Sequence, residues 1–173
     1  MSTFVAETPR LRLRWLDDGD AGFIVDLLND ADFIRYVGDR GVRTLTAAEH
    51  YLAEGPVAAY ARDGFSLNAV ELKATGELAG ICGLLRRAGM DDVEIGFAFL
   101  PRFRGLGYAL EAAEAALQVG FENLGLRRIV AITALDNEDS MRLLGRLGLR
   151  FERLLTLPGQ SEPLRLFARE RTS

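Results

Sequence analysis

Residues 93–110, V-E-I-G-F-A-F-L-P-R-F-R-G-L-G-Y-A-L, carry an apolar run of β type that breaks into a glycine-rich turn and opens directly into a helix. Such a junction aims several backbone N–H groups, with the positive end of a helix dipole, at one small volume. That volume suits a pyrophosphate. Leu106, Leu110, Ala113, Leu117 and Phe121 then recur at steps of four, three, four and four, which predicts one apolar helical face with Glu111 and Glu114 outside it. Gly125 is placed to end that helix.

The rest of the chain alternates between strand and helix periods. Leu11, Leu13 and Trp15 interleave with Arg10, Arg12 and Arg14, predicting a first strand with one buried face. Asp17, Asp18 and Asp20 supply helix-starting carboxylates ahead of Phe23, Ile24, Leu27 and Leu28. Their spacing predicts a helix ending near Asn29, with a short helical turn over 33–37. Thr46 and Glu49 read as a capping box for a helix that reaches about residue 62 and stops near Gly64. Pro56 predicts a kink or a break into two pieces there. Strands are expected over 65–72, 78–86 and 92–99, joined by short turns that favour an antiparallel meander, and then over 128–134. Asn137 caps a further helix whose first turn holds Glu138 and Asp139, whose buried side is Met141, Leu144 and Leu147, and whose end is Gly148. Strands over 151–157 and 164–168 finish the chain. The order predicts an α/β fold, a mixed sheet with helices on its faces and no internal repeat.

Cys82 is the only cysteine and His50 the only histidine. An intrachain disulfide, a thiolate zinc site, a metal site with two imidazoles and the usual Ser-His-Asp or Cys-His units are therefore excluded. Chemistry must rest on carboxylates, hydroxyls and backbone amides. Cys82 reads as a small packed hydrophobe, and His50 as a helix residue without a ligand partner at useful spacing. The 173 residues contain no linker-like stretch and read as one domain spanning 1–173. No apolar run approaches the roughly 20 residues that span a bilayer, and the N-terminus lacks a signal pattern, so a cytoplasmic protein with no membrane role is expected. Lys73 is the exception among otherwise arginine-only basic residues. No basic stripe interleaved with aromatics occurs, so no nucleic-acid partner is expected. Residues 1–100 carry 10 basic and 16 acidic side chains, the remainder 11 and 9. The split suits an amine in front and an anionic cofactor behind, and solvated surface charge explains it at least as well.

The turn from Arg102 to Gly107 fits Arg/Gln-x-x-Gly-x-Gly/Ala, with a strand before it and an amphipathic helix after. Gly105 and Gly107 let the backbone approach phosphate oxygens, and N–H groups across Arg104 to Ala109 would donate to them. A helix entrance with no ligand is the alternative reading of this turn taken alone. A dinucleotide-binding turn fits poorly, because that motif follows the first strand of a βαβ unit. Joined to T-P-R-L-R-L-R at the front and N-E-D-S-M-R-L-L-G-R-L-G-L over 137–149, the arrangement resembles the GNAT superfamily of acetyl-CoA-dependent N-acetyltransferases. Within it, the chain is most similar to the branch of ribosomal-protein N-terminal acetyltransferases, over nearly its whole length.

The resemblance implies a mostly antiparallel mixed central sheet with helices on both faces, acetyl-CoA as cosubstrate and no metal. It implies that the strand holding Phe97, Ala98 and Phe99 splays from the strand beginning near Arg128. Pantetheine would lie in the gap, and Arg102, Arg104, Gly105, Leu106, Gly107, Tyr108 and Ala109 would form the pyrophosphate turn. Asn137 and Ser140 would sit near the pantetheine arm and sulfur, Ser140 as a candidate proton donor, although both residues also suit plain capping. Leu144 stands where many relatives place a tyrosine acid, and Leu149 where a phenylalanine is usual.

Alternation puts Glu94 on one face with Gly96 and Ala98, where a carboxylate could take the proton an attacking amine must lose. Pairing with an arginine is the other reading of Glu94. Arg35 and Tyr36 belong to segments that line the family's acceptor pocket, together with Phe33 and Trp15, the last reading better as core. The implied reaction is direct attack of a primary amine in a ternary complex, with a protein N-terminus or a small amine such as an amino acid, polyamine or aminoglycoside as acceptor. The first needs an open groove and the second a closed pocket. A non-catalytic acyl-CoA-binding module acting through a protein partner is the alternative, and the late strands could join across a homodimer.

Overall fold

The computed structural model describes residues 3–172. Within them eight strands form: β1 (Phe4–Glu7), β2 (Leu11–Trp15), β3 (Leu67–Leu72), β4 (Leu78–Leu85), β5 (Val93–Phe99), β6 (Arg128–Thr133), β7 (Arg150–Leu155) and β8 (Leu164–Glu170). They make one sheet in the order β1-β2-β3-β4-β5-β6-β8-β7. Every neighbouring pair is antiparallel except β5 with β6. Residues 79–84 of β4 are buried at every position, so both faces of the sheet centre are covered.

Hydrophobic alternation misses β1. This strand is short, buries no residue fully, and is held to β2 by its ladder, with Phe4 opposite Arg14 and Glu7 opposite Arg12. A backbone-paired edge strand leaves little side-chain signal.

Asp17 begins the first helical region. Its side chain accepts from the Gly19 N–H at 2.9 Å, and Asp20 accepts from the Asp17 N–H at 3.0 Å. A 3-10 turn (Asp18–Asp20) runs into α1 (Ala21–Leu28), and α2 (Ala31–Tyr36) follows on an Asp30 cap. Arg14 binds both oxygens of buried Asp20 at 2.9 Å and Glu71 at 2.8 Å, tying β2 and β3 to the start of α1. The next helix, α3 (Leu45–Leu52), is capped by Thr44, which has extended backbone angles and accepts from the Ala47 N–H at 3.1 Å. The capping box on Thr46 therefore does not form, since Thr46 already lies inside the helix.

At Pro56 the helix divides into two α pieces, as expected, joined by a π turn. That turn (Ala53–Val57) absorbs the proline and continues into α4 (Ala58–Asp63), a wider turn that tolerates the missing N–H. After the glycine turn, α5 (Tyr108–Gln118) starts two residues beyond Leu106, which is 52% exposed and off the predicted stripe. Ala113, Leu117 and Phe121 of that stripe are buried, joined by Ala112 and Ala116, and Leu110 is half-buried. A π turn (Val119–Asn123) extends α5, and α6 (Glu138–Arg146) packs near β6. Leu11, Leu13, Ile24, Leu27, Ile95, Ile129 and Leu144 anchor the core, each burial contributing about 1.5–3 kcal/mol. Among the described residues no helix is long and apolar enough to cross a membrane.

Candidate active site

β5 and β6 are bonded only at Val93 with Ile129 and Glu94 with Val130. The opposite edge of β5 is paired with β4 from Glu94 to Phe99. Beyond Glu94, then, the backbone of β5 that faces β6 has no strand partner, and the expected splay is present. Two cavities meet in this fork. One, of about 570 Å³, is lined by Phe97, Ala98 and Phe99, by Arg104, Gly105, Gly107, Tyr108 and Ala109 of the turn, and by Arg142 and Arg146 of α6. The other, of about 320 Å³, runs past Glu94 to Arg40, Tyr51 and Arg87. Phe33, Tyr36, Val37, Phe97, Ala98, Asn137 and Ser140 line both, which makes the space continuous from one side of the fork to the other.

The turn has the backbone its sequence demands. Gly105 and Gly107 hold φ of +75° and +84°, angles that L side chains rarely adopt. The Arg104 N–H closes onto the Pro101 carbonyl at 3.2 Å, so the donors left for a ligand begin at Gly105 and continue into the first turn of α5, where helix geometry supplies no partners. Glu111 would set a negative charge beside those donors. It is instead held by Thr8 Oγ1 at 2.5 Å, the Arg10 N–H at 3.0 Å and Arg10 Nε at 2.7 Å, while Arg10 Nη1 donates to the Leu106 carbonyl at 2.9 Å. The Arg10 guanidinium also lies 4.4 Å from the Tyr108 ring. Arg10 thus braces the turn from behind and neutralises the one carboxylate in the helix's first turn.

Arg104 works differently from its neighbour. Its guanidinium donates to the Phe99 carbonyl at 3.0 Å, to Asp32 at 2.7 Å and to Asp30 at 2.5 Å, pinning the cap of α2 against the end of β5. Arg102 turns away from the cavity, toward Glu77 at 3.7 Å and over the Phe103 ring. The Leu106 side chain is exposed, and Arg35 pairs with Asp136 at 3.0 Å on the surface while lying over the Tyr36 ring. Of the predicted acceptor residues, Phe33 and Tyr36 line both cavities, and Arg35 and Trp15 line neither.

Glu94 is 3% exposed and lines the smaller cavity. Arg87 binds it through two points, Nε to Oε1 at 2.7 Å and Nη2 to Oε2 at 3.1 Å. The arginine pairing is therefore present, on a buried carboxylate that also lines the smaller cavity. Two bonds leave lone pairs on each oxygen for a further proton. The bond to Glu94 raises the pKa of Arg87 above the ordinary guanidinium value, so its charge is fixed. On the far wall, Asn137 Oδ1 accepts from the Ser140 N–H at 3.3 Å, which caps α6 and leaves the Asn137 amide N–H₂ and the Ser140 hydroxyl at the junction. Leu144, buried at 1%, lines the same wall. Thr133, at the end of β6, also lines it, and its Oγ1 is a buried side-chain oxygen with no hydrogen-bond partner among the described residues.

The model of the family described as "Acetyltransferase (GNAT) domain" matches residues 10–150. The chain belongs to the GNAT acetyltransferases. An uncharacterized N-acetyltransferase of Bacillus subtilis, YoaA, is 31% identical over 152 residues, covering 87% of this chain and 85% of that one. The crystal structure of a GNAT-family acetyltransferase from Bacillus anthracis superposes with a TM-score of 0.79 at 25% identity, covering 97% and 98% of the two chains. A RimL ribosomal-protein acetyltransferase in complex with coenzyme A shares the fold, with a TM-score of 0.79 at 19% identity over 96% and 97%.

In this GNAT enzyme the sequence left several site residues unseen. Arg142 and Arg146, four apart on α6, project onto the cavity of the turn, a spacing that one helical face makes legible. Arg10, Arg40, Tyr51 and Arg87 come from distant segments and carry no local signature. The residues present fit a pantetheine-linked diphosphate: two left-handed glycines, unpaired first-turn donors, an open strand edge and an orphaned threonine hydroxyl. Among the described residues no cluster of three or more metal-ligating side chains occurs.

Proposed function

We propose that the chain transfers acetyl from acetyl-CoA to a primary amine by direct attack in a ternary complex. The observation that carries this reading is the fork, where the diphosphate-shaped turn and the buried Glu94 open onto one continuous space from opposite sides. Acetyl-CoA supplies the acyl group as an activated thioester. Gly105, Gly107 and the first N–H groups of α5 hold its diphosphate, and the unpaired edge of β5 from residue 95 holds the pantetheine arm and polarises the thioester oxygen.

Glu94 takes the proton that the amine must lose before or as its nitrogen bonds to the acetyl carbon, directly or through water. As the C–N bond forms, the C–S bond breaks, and the leaving sulfur regains a proton. Ser140 is the hydroxyl at the junction placed to give it, and the leucine at 144 offers none. Arg87 fixes the orientation of Glu94 and does not touch the reacting atoms. No nucleophile suited to an acyl-enzyme lines the fork, so rate comes from positioning and exclusion of water.

Release of free thiol with a panel of amines tests the reaction. Glu94→Gln is expected to lower kcat by about 100-fold or more while calorimetry shows an unchanged Kd for acetyl-CoA. An unaltered pH–rate profile in that variant would remove Glu94 from the base role, and tight binding of acetyl-CoA with no turnover on any amine would identify a binding module instead.

A further inference from the structure

We infer that the acceptor is a small amino acid-like molecule, a primary amine carrying a carboxylate, and that Arg40 recognises the carboxylate. The inference rests on the acetyl-transfer reading and narrows its acceptor. The charged side chains lining the smaller cavity are Arg40, Arg87 and Glu94. Arg87 and Glu94 satisfy one another at 2.7 and 3.1 Å, which leaves the guanidinium of Arg40 as the net charge of the pocket. Its neighbour in sequence, Asp39, is already committed to Arg43 at 2.7 Å and to the Gly41 N–H at 2.9 Å, and these bonds hold its carboxyl below the usual range. Among the described residues Arg40 has no anionic partner.

A hydroxyl donor stands beside it. Tyr51 on α3 lines the same wall, and burial pushes its pKa up, against the pull of nearby Arg40 and Arg87. The phenol thus stays protonated and free to donate. A guanidinium, a phenol and a proton-accepting carboxylate lining one cavity match a molecule that carries both an anion and an amine. Thr133, its oxygen unpartnered among the described residues, lines the same pocket. Leu157 and Gln160 of the segment joining β7 to β8 line the pocket as well.

Polyamines and aminoglycosides fit this arrangement badly, because a second ammonium would face Arg40 without a counter-charge. A peptide N-terminus places a neutral amide where the guanidinium asks for an anion. In the reaction the carboxylate is unchanged: the amine nitrogen gains the acetyl carbon, its surplus proton passes to Glu94, and the sulfur leaves and is reprotonated.

The test compares α-amino acids with their own carboxamides, which keep the amine and side chain and lose the charge, alongside free-N-terminus peptides and spermidine, all read by thiol release from the full chain. The acids are expected to exceed their amides by about tenfold or more in kcat/KM, chiefly through KM. Arg40→Gln should reduce that acid-to-amide ratio about tenfold, and Arg40→Lys should restore part of it. Equal use of acids and amides, or faster turnover of peptides or spermidine, overturns this inference and leaves acetyl transfer standing. No thiol release from any amine overturns both.

Discussion

Replacing Gly105 with alanine separates the turn's role in binding from its role in folding. Gly105 holds φ of +75°, and a Cβ built there meets nothing within 4 Å, so the cost of alanine is backbone strain alone. A left-handed alanine costs about 1–2 kcal/mol, offset by about 0.4–1 kcal/mol because the unfolded chain is stiffer. The net loss is about 1 kcal/mol, or about 2–4 °C in Tm for a chain of this length. Gly64 provides the matched control. It ends α4 with φ of +84°, a Cβ there also meets nothing within 4 Å, and it lines neither cavity.

Gly64→Ala should therefore show the same fall in Tm and the same Kd for acetyl-CoA as the parent. In Gly105→Ala the strained peptide relaxes by turning at least one N–H away from the diphosphate. A hydrogen bond to a charged group contributes about 1.5–3 kcal/mol, so Kd measured by calorimetry should rise about 10- to 150-fold. If both variants melt alike and both bind acetyl-CoA like the parent, the turn is a helix entrance and the diphosphate lies elsewhere.

Two further outcomes follow from single side chains. Burial pushes the Cys82 thiol up to about 12, and the side chain is fully enclosed, so a disulfide reagent at neutral pH should find no reactive thiol in the folded enzyme and one after unfolding. Rapid labelling of the native protein would show that β4 opens. The Glu111 carboxyl sits below its usual range: burial, the largest influence, raises it, and the bonds from Thr8 and Arg10 together outweigh that. Its folded pKa is thus below the unfolded value of about 4.3, so its contribution to stability is complete above that pH and lost as pH falls through the folded value. Urea midpoints from about pH 6 to about pH 3 should fall less steeply in Arg10→Gln than in the parent, and parallel curves would show that Arg10 does not set the Glu111 charge.

What the sequence revealed and what it hid divide along a physical line. The strand over 93–99, the glycine turn, the caps on Asp17 and Asn137 and the helix stop at Gly148 depend on contacts within a few residues, and each was legible. The capping box on Thr46 failed because the helix starts two residues earlier, where Thr44 caps the Ala47 N–H, a choice made by where the extended chain meets the helix. Leu106 kept helical spacing yet lies outside α5, since φ at Gly107 ends the turn after it. Arg10 is a hundred and one residues from Glu111, so no local pattern could join that pair, whereas Arg87 meets Glu94 across the hairpin between β4 and β5.

The position of Glu94 follows from topology. β5, like β6, has neighbours that run in opposite senses: an antiparallel hairpin joins it to β4, and a parallel pairing joins it to β6. A parallel neighbour requires a crossover long enough to return the chain, and here that crossover is the glycine turn with α5. The same connection therefore sets the glycine turn at the C-terminal end of β5 and brings β6 alongside its N-terminal end. Two strands bonded at one end and held apart at the other by a helix's entry must fork. Glu94 is the last bonded residue on β5, so its side chain stands at the vertex. One step earlier or later, at Val93 or Ile95, a carboxylate would face the opposite side of the sheet. Glu94, the residue proposed to accept the proton, thus stands on the strand that runs into the glycine turn, and only its partner, Arg87, comes from outside that unit.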